Sequence, residues 1–137
     1  MIQGISHLTF LVQDLAKSAD LFRYVFDAQE IYNSSSLYFG LGPEKFLLIS
    51  GLWICLMESD AVSERSYNHV AFSIRDEDFA VYEERIRSLG LEVKPSRPRV
   101  PEEGRSIYFY DYDHHLFELH SGSLVTRLNR YSSKDSI

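Results

Sequence analysis

The sequence predicts an α+β fold made of two copies of a strand, helix and three-strand module, on three observations. Ile5-Ser6-His7-Leu8-Thr9-Phe10 matches Tyr67-Asn68-His69-Val70-Ala71-Phe72 at a shift of 62 positions, the mark of a repeated supersecondary unit. Each copy is followed by an aspartate and an amphipathic stretch. Short runs with strand character then complete each half.

In the first copy, Asp14 can cap a helix whose apolar residues Leu15, Phe22, Val25 and Phe26 fall at helical spacing before a turn near Asp27-Ala28. Strand-like runs follow at Glu30 to Tyr32, Leu37 to Leu41, Phe46 to Ile49 and Leu52 to Met57. In the second copy, Asp76 or Asp78 caps a helix carrying Phe79, Tyr82, Ile86 and Leu89, and Gly90 ends it. Glu92 to Lys94, Ser106 to Tyr110 and His115 to His120 are its strands. The expected organisation is one domain over residues 1–137. It comprises modules at about 1–60 and 66–122, then a short C-terminal helix and a patternless tail from Tyr131 to Ile137.

Within the hairpin Gly104 to His120, Asp111 to His114 supplies turn chemistry, and Leu116, Glu118 and His120 share one face of the returning strand. Glu118 thus sits between apolar neighbours. A carboxylate placed there is neutralised, paired with a cation or bound to a metal, because an unpaired one costs several kcal/mol, roughly. His7 and His69 occupy the same place in the two copies, so a pseudo-twofold arrangement brings them together, with Glu118 able to join them. Shifting Glu118 back by 62 lands on Leu56, so the first copy adds no second carboxylate and a bound metal keeps open positions. His114 and His115 fall in the turn and are expected to be exposed, while His120 is a candidate supporting group.

Composition narrows the partners. The formal net charge is −6 and the hydrophobic share 45%, ordinary for a soluble globular chain. Arg97, Arg99 and Arg105 suit a small anion better than a nucleic acid. The start of the chain has no basic region followed by an apolar one, and no apolar run is long enough to span a bilayer, so no membrane and a cytoplasmic location are expected. The single cysteine, Cys55, agrees with a reducing compartment and reads as a buried core thiol. The segment Lys94 to Arg105 holds three prolines and four basic residues and reads as a surface loop over the site, able to steer an anion inward.

The repeated unit with His7, His69 and Glu118 resembles the vicinal oxygen chelate (glyoxalase-like) superfamily of paired β-α-β-β-β modules. Gly51-Leu-Trp-Ile-Cys-Leu-Met57, Tyr67-Asn-His-Val-Ala-Phe72, Glu103-Gly-Arg-Ser-Ile-Tyr-Phe109 and Phe117-Glu-Leu-His120, with Arg127-Leu128 after them, resemble its fosfomycin-resistance enzymes over nearly the whole chain. The resemblance implies a homodimer with metal-centred cavities shared between subunits, and Mn²⁺ held by His7, His69 and Glu118. The substrates it implies are a small phosphonate epoxide and water. It places Glu44 as the base that activates water, which distinguishes the hydrolase branch from branches that add glutathione or a bacillithiol-type thiol. From the residues alone, Gly42-Pro43-Glu44-Lys45 reads as a turn. Thr9, Ser106, Tyr108 and Arg127 match positions that contact the phosphonate, and Trp53 matches the pocket wall. Core packing explains Trp53, Cys55 and Met57 equally well. Tyr67 and Lys94 complete the candidate substrate residues. An Fe²⁺ dioxygenase of the same superfamily would use the same ligands, but only His120 is available to it as an acid-base histidine.

Overall fold

The computed structural model describes residues 1–60, 64–97 and 99–133. In chain order the elements are β1 (His7–Val12), α1 (Leu15–Phe26), β2 (Gln29–Asn33), β3 (Glu44–Ile49) and β4 (Leu52–Glu58). They continue with β5 (His69–Ser73), α2 (Phe79–Ser88), β6 (Val93–Lys94), β7 (Ser106–Tyr110), β8 (Leu116–His120) and α3 (Leu124–Ser133). Two four-stranded sheets share one topology, in the orders β1-β4-β3-β2 and β5-β8-β7-β6. The first strand of each sheet joins the last in parallel, and the others pair antiparallel. The chain forms two compact units, Met1–Arg65 with Asp111–His115 and Ser66–Tyr110 with Leu116–Ile137.

In the first unit, Asp14 Oδ1 accepts from Lys17 N at 3.0 Å and fixes the start of α1. The helix buries Leu15, Phe22, Val25 and Phe26, and Asp27 ends it in the left-handed region at φ 53°. One sheet face carries the buried Phe10, Val12, Leu47, Ile49, Ile54 and Leu56. Strand alternation leaves the other face to His7, Thr9, Trp53, Cys55, Phe46 and Glu44. The turn Asp111–His115 belongs to this unit. Gln13 N donates to Asp113 Oδ1 at 3.0 Å and Ser18 Oγ to Oδ2 at 3.4 Å. His115, expected to be exposed, is half-buried, with Nδ1 2.7 Å from Asp111 Oδ2 and its ring edge-on to Phe10. His114 is also half-buried, at φ 68°.

In the second unit, Ile86 of α2 and the sheet residues Ile107, Phe109, Phe117 and Leu119 form the buried side. Strand alternation gives the opposite face to His69, Glu118, His120, Ser106, Tyr108 and Lys94. Neither candidate cap of α2 uses its side chain for that purpose. Asp78 binds Arg75 Nε at 3.0 Å instead, and Asp76 binds Arg105 Nε at 2.9 Å.

Three further expectations change. Leu37 to Leu41 is not a strand: Leu37, Tyr38, Phe39 and Leu41 are exposed and lie in the loop between β2 and β3. That loop passes so close to β4 that a Cβ on Gly42 would stand 2.4 Å from the Glu58 carbonyl oxygen. Residues Tyr131 to Ser133, assigned to the tail, are the last of α3, and 134–137 lie outside the described residues, as does Pro98 in the loop. The register also moves one comparison. Trp53 pairs with His7 where Leu116 pairs with His69, so the counterpart of Glu118 is Cys55 rather than Leu56.

Candidate functional site

The second unit builds its polar face around Glu118, which is 4% exposed at the centre of β8. Glu118 Oε1 stands 3.1 Å from His69 Nε2. His69 Nδ1 stands 2.7 Å from the Tyr67 carbonyl oxygen. A carbonyl only accepts, so Nδ1 carries a ring proton, and in the tautomer that binds metals Nε2 presents its lone pair to the carboxylate. Two acceptors facing each other at this distance repel unless a cation or a proton lies between them. Adjacent donors on an octahedral cation, each about 2.1 Å from it, stand about 3 Å apart, so the pair fits a divalent metal.

The other oxygen of Glu118 is held from beneath. Ser106 Oγ donates to Oε2 at 2.6 Å, and His120 Nδ1 lies 2.8 Å from Ser106 Oγ. Arg127 Nη2 is 3.3 Å from His120 Nε2. A guanidinium cannot accept, so the direction of this chain is fixed: Arg127 donates to His120, His120 Nδ1–H to Ser106, and Ser106 to Glu118. Burial alone would raise the Glu118 pKa. Hydrogen bonds from Ser106 and Tyr108, with the charges of His120 and Arg99, prevail and hold it below the usual carboxylate range. Burial first moves His120 down from its ordinary value, and the charges of Arg127 and Arg99 add to this against the opposing pull of Glu118. Burial first, then hydrogen bonding with Tyr67 and Glu118, raises the Tyr108 phenol pKa.

In the first unit, His7 opens β1, stacks on Trp53 with ring centroids 4.1 Å apart, and has Nδ1 3.0 Å from Ser6 Oγ. Thr9 lies two residues further on the same face, beside Cys55. Glu44, read from the sequence as a turn residue, is the first residue of β3. It is 9% exposed because its backbone pairs with Met57 and its N–H donates to Ser34 Oγ at 2.9 Å. Its one side-chain donor among the described residues is the Cys55 thiol, with Sγ 3.6 Å from Oε2. Burial, then the charge of Glu44, pushes that thiol up to about 11. The carboxylate is therefore sheltered yet lightly engaged, which suits a proton acceptor.

The substrate candidates divide by unit. Ser106 and Tyr108 are buried on β7 beside Glu118, Arg127 lies one step behind His120, and Lys94 pairs with Tyr108 in the sheet while its Nζ is 3.9 Å from Glu92. Tyr67 is exposed, its ring edge-on to His69. The loop arginines are less free to steer an anion than expected: Arg97 is paired with Glu103 at 3.0 Å and Arg105 with Asp76. Sequence reading gave Arg99 no place of its own in the site. Its side chain is 7% exposed and its Nη2 lies 3.2 Å from Tyr108 Oη and 3.6 Å from Glu118 Oε2. The prolines around it read as loop, and nothing local signals that the side chain turns inward. Among the described residues of a single chain, no three His, Cys, Asp or Glu side chains are grouped to hold a metal. No helix among them is long and apolar enough to cross a membrane.

Residues 4–119 match the family described as Glyoxalase/Bleomycin resistance protein/Dioxygenase superfamily. The chain is 58% identical over 131 residues to fosfomycin resistance protein FosX of Listeria monocytogenes, covering 96% of this chain and 98% of that protein. To FosX of Mesorhizobium japonicum it is 53% identical over 130 residues, covering 95% and 94% respectively. Among solved structures, a mutant of the Listeria monocytogenes FosX complexed with Mn(II) and 1S,2S-dihydroxypropylphosphonic acid superposes with a TM-score of 0.88. That match has 57% identity and covers 95% of this chain and 100% of that one. With the same two-sheet modules and identity sustained over nearly its whole length, this chain belongs to the Glyoxalase/Bleomycin resistance protein/Dioxygenase superfamily and, within it, to the FosX fosfomycin-resistance proteins.

Proposed function

We propose that this chain is a Mn²⁺-dependent hydrolase that opens the epoxide of fosfomycin with water, giving the vicinal diol phosphonate and so resistance to the antibiotic. The carrying observation is Glu44, buried on the face of His7 and Thr9 with a single thiol as its side-chain donor among the described residues. The diol phosphonate bound by the 57% identical FosX is what adding water to such an epoxide yields.

In this reading His7, His69 and Glu118 hold the metal, and the bound cation supplies Lewis acidity toward the epoxide oxygen and offsets the charge that develops there. Glu44 accepts a proton from water as the oxygen forms its bond to an epoxide carbon and the ring C–O bond breaks, worth about 10²- to 10⁴-fold. The released oxygen takes its proton from solvent. Thr9, Tyr108, Lys94 and Arg127 receive the phosphonate, Ser106 stands beside it with its O–H given to Glu118, and Trp53 and Tyr67 wall the pocket. The relay from Arg127 through His120 and Ser106 keeps Glu118 ionised and in place. Each sheet carries part of the ligand set, so the working unit is a homodimer in which His7 comes from one subunit and His69 with Glu118 from the other. The protein acts in the cytoplasm, in keeping with its buried free thiol.

The test is incubation with Mn²⁺ and fosfomycin, with and without glutathione, followed by ³¹P NMR. The diol should form at the same rate in both. A thiol adduct, or no product without thiol, overturns hydrolysis.

A further inference from the structure

Glu44 is fixed firmly at its backbone and lightly at its side chain. Its N–H donates to Ser34 Oγ at 2.9 Å, its carbonyl accepts from Ser34 N at 3.0 Å, and it pairs with Met57 in the sheet. The loop between β2 and β3 lies close against it, since a Cβ on Gly40 would stand 2.7 Å from Met57 Cε and 3.9 Å from Glu44 Oε2. Within that enclosure the carboxylate is held at one point. Cys55 Sγ lies 3.6 Å from Oε2, and Oε1 takes no hydrogen bond among the described residues. Cys55 is 4% exposed on β4, beside Thr9 of β1. The Thr9 hydroxyl hydrogen-bonds the sulfur, while burial and the charge of Glu44 push the thiol up to about 11, so it keeps its proton and has the carboxylate to give it to.

A general base must meet its water in one geometry, and a misplacement of about 1 Å can cost about 10²-fold. A hydroxyl or ammonium donor would fix the carboxylate but draw on the charge that takes the proton, whereas a thiol is a weak donor. We propose that Cys55 is the positioning residue of the base, its thiol tying Glu44 Oε2 in place and leaving Oε1 to take the proton from water, a role that rests on the hydrolase reading. The thiol keeps its own proton throughout and forms no covalent bond in the step. Packing alone would also bury a small thiol here, and the two roles differ in what removing Glu44 does to them.

The experiment makes Cys55→Ala and Cys55→Ser in the Mn²⁺-loaded parent and in Glu44→Gln. It measures kcat and KM for fosfomycin, Mn²⁺ affinity by electron paramagnetic resonance, and the infrared S–H stretch, which is assignable because the chain has one cysteine. Cys55→Ala should lose about tenfold in kcat, with KM and Mn²⁺ affinity within about threefold of the parent. Cys55→Ser, which keeps a donor, should recover most of that loss. In Glu44→Gln neither substitution should slow diol formation further, since the carboxylate they orient is gone. The S–H band of the parent should move to higher frequency in Glu44→Gln, where a neutral acceptor weakens the hydrogen bond, and this band carries the test if the alanine protein does not fold. An equal loss in both backgrounds makes Cys55 a packing residue and overturns the proposal, as does parent-like kcat in Cys55→Ala or an S–H band indifferent to Glu44→Gln. A parent that makes no diol overturns the hydrolase reading and this role with it, whereas diol formation indifferent to Cys55 overturns this role alone.

Discussion

Glu44 and Cys55 occupy in the first sheet the register positions that Ser106 and Glu118 occupy in the second, since Glu44 pairs with Met57 where Ser106 pairs with His120. In one unit a hydroxyl on the third strand of the module donates to a carboxylate on the fourth; in the other a thiol on the fourth donates to a carboxylate on the third. A thiol is the weaker donor, which leaves Glu44 freer to take a proton than Glu118. Glu44→Gln should therefore slow diol formation by about 10²-fold or more while Mn²⁺ and phosphonate binding persist, a loss in kcat with KM little changed. Near-parent turnover would remove Glu44 from the chemistry. Glu118→Gln should instead lose Mn²⁺ affinity, read by electron paramagnetic resonance, because two neutral imidazoles remain. With its pKa pushed up to about 11, the Cys55 thiol should react with a disulfide reagent at pH 8 far more slowly in the folded protein than in denaturant. Glu44 was hard to read at this scale because Gly42-Pro43 signals a turn, and only the pairing of Glu44 with Met57 shows that the strand has begun.

At the scale of elements, the order of strands and helices was legible because buried faces impose their period on the sequence. The apolar stripe of α1 and the alternation of β7 and β8 are packing requirements written as spacing. Leu37 to Leu41 carries as much apolar character, but its side chains stay in solvent and no neighbouring strand receives its backbone. Hydropathy alone cannot distinguish the two cases. The capping aspartates show the same limit: Asp14 holds its helix, whereas Asp76 and Asp78 answer to arginines that only the fold brings near. Asp14→Ala should cost about 1 kcal/mol in a denaturant melt. Phe117, fully buried beside Phe109, should cost about 3–5 kcal/mol when replaced by Ala.

For the whole molecule, the repeat predicted two like modules, and the two sheets do share one strand order. The one-residue offset between β4 and β8 is what direct sequence superposition misses, since it arises in the spacing between strands rather than in the strands themselves. If each site draws His7 from one subunit and Glu118 from the other, mixing inactive His7→Ala and Glu118→Ala proteins should restore part of the activity, because each mixed dimer regains one intact site of its two. Subunits that demonstrably exchange without any return of activity would exclude shared sites.

The turn Asp111–His115 is encoded inside the second copy but belongs to the first unit, where Asp113 receives the Gln13 N–H and the Ser18 hydroxyl. A gene divided between the copies would therefore not yield two self-sufficient products. The product ending at Arg65 would leave those two donors without their acceptor, at about 1–3 kcal/mol for each that stays buried, and the other would carry an acidic turn with nothing to receive it. If the halves arose by duplication of a smaller gene, this exchange made the fusion hard to reverse: recombination that reshuffles single modules must break a unit to move one.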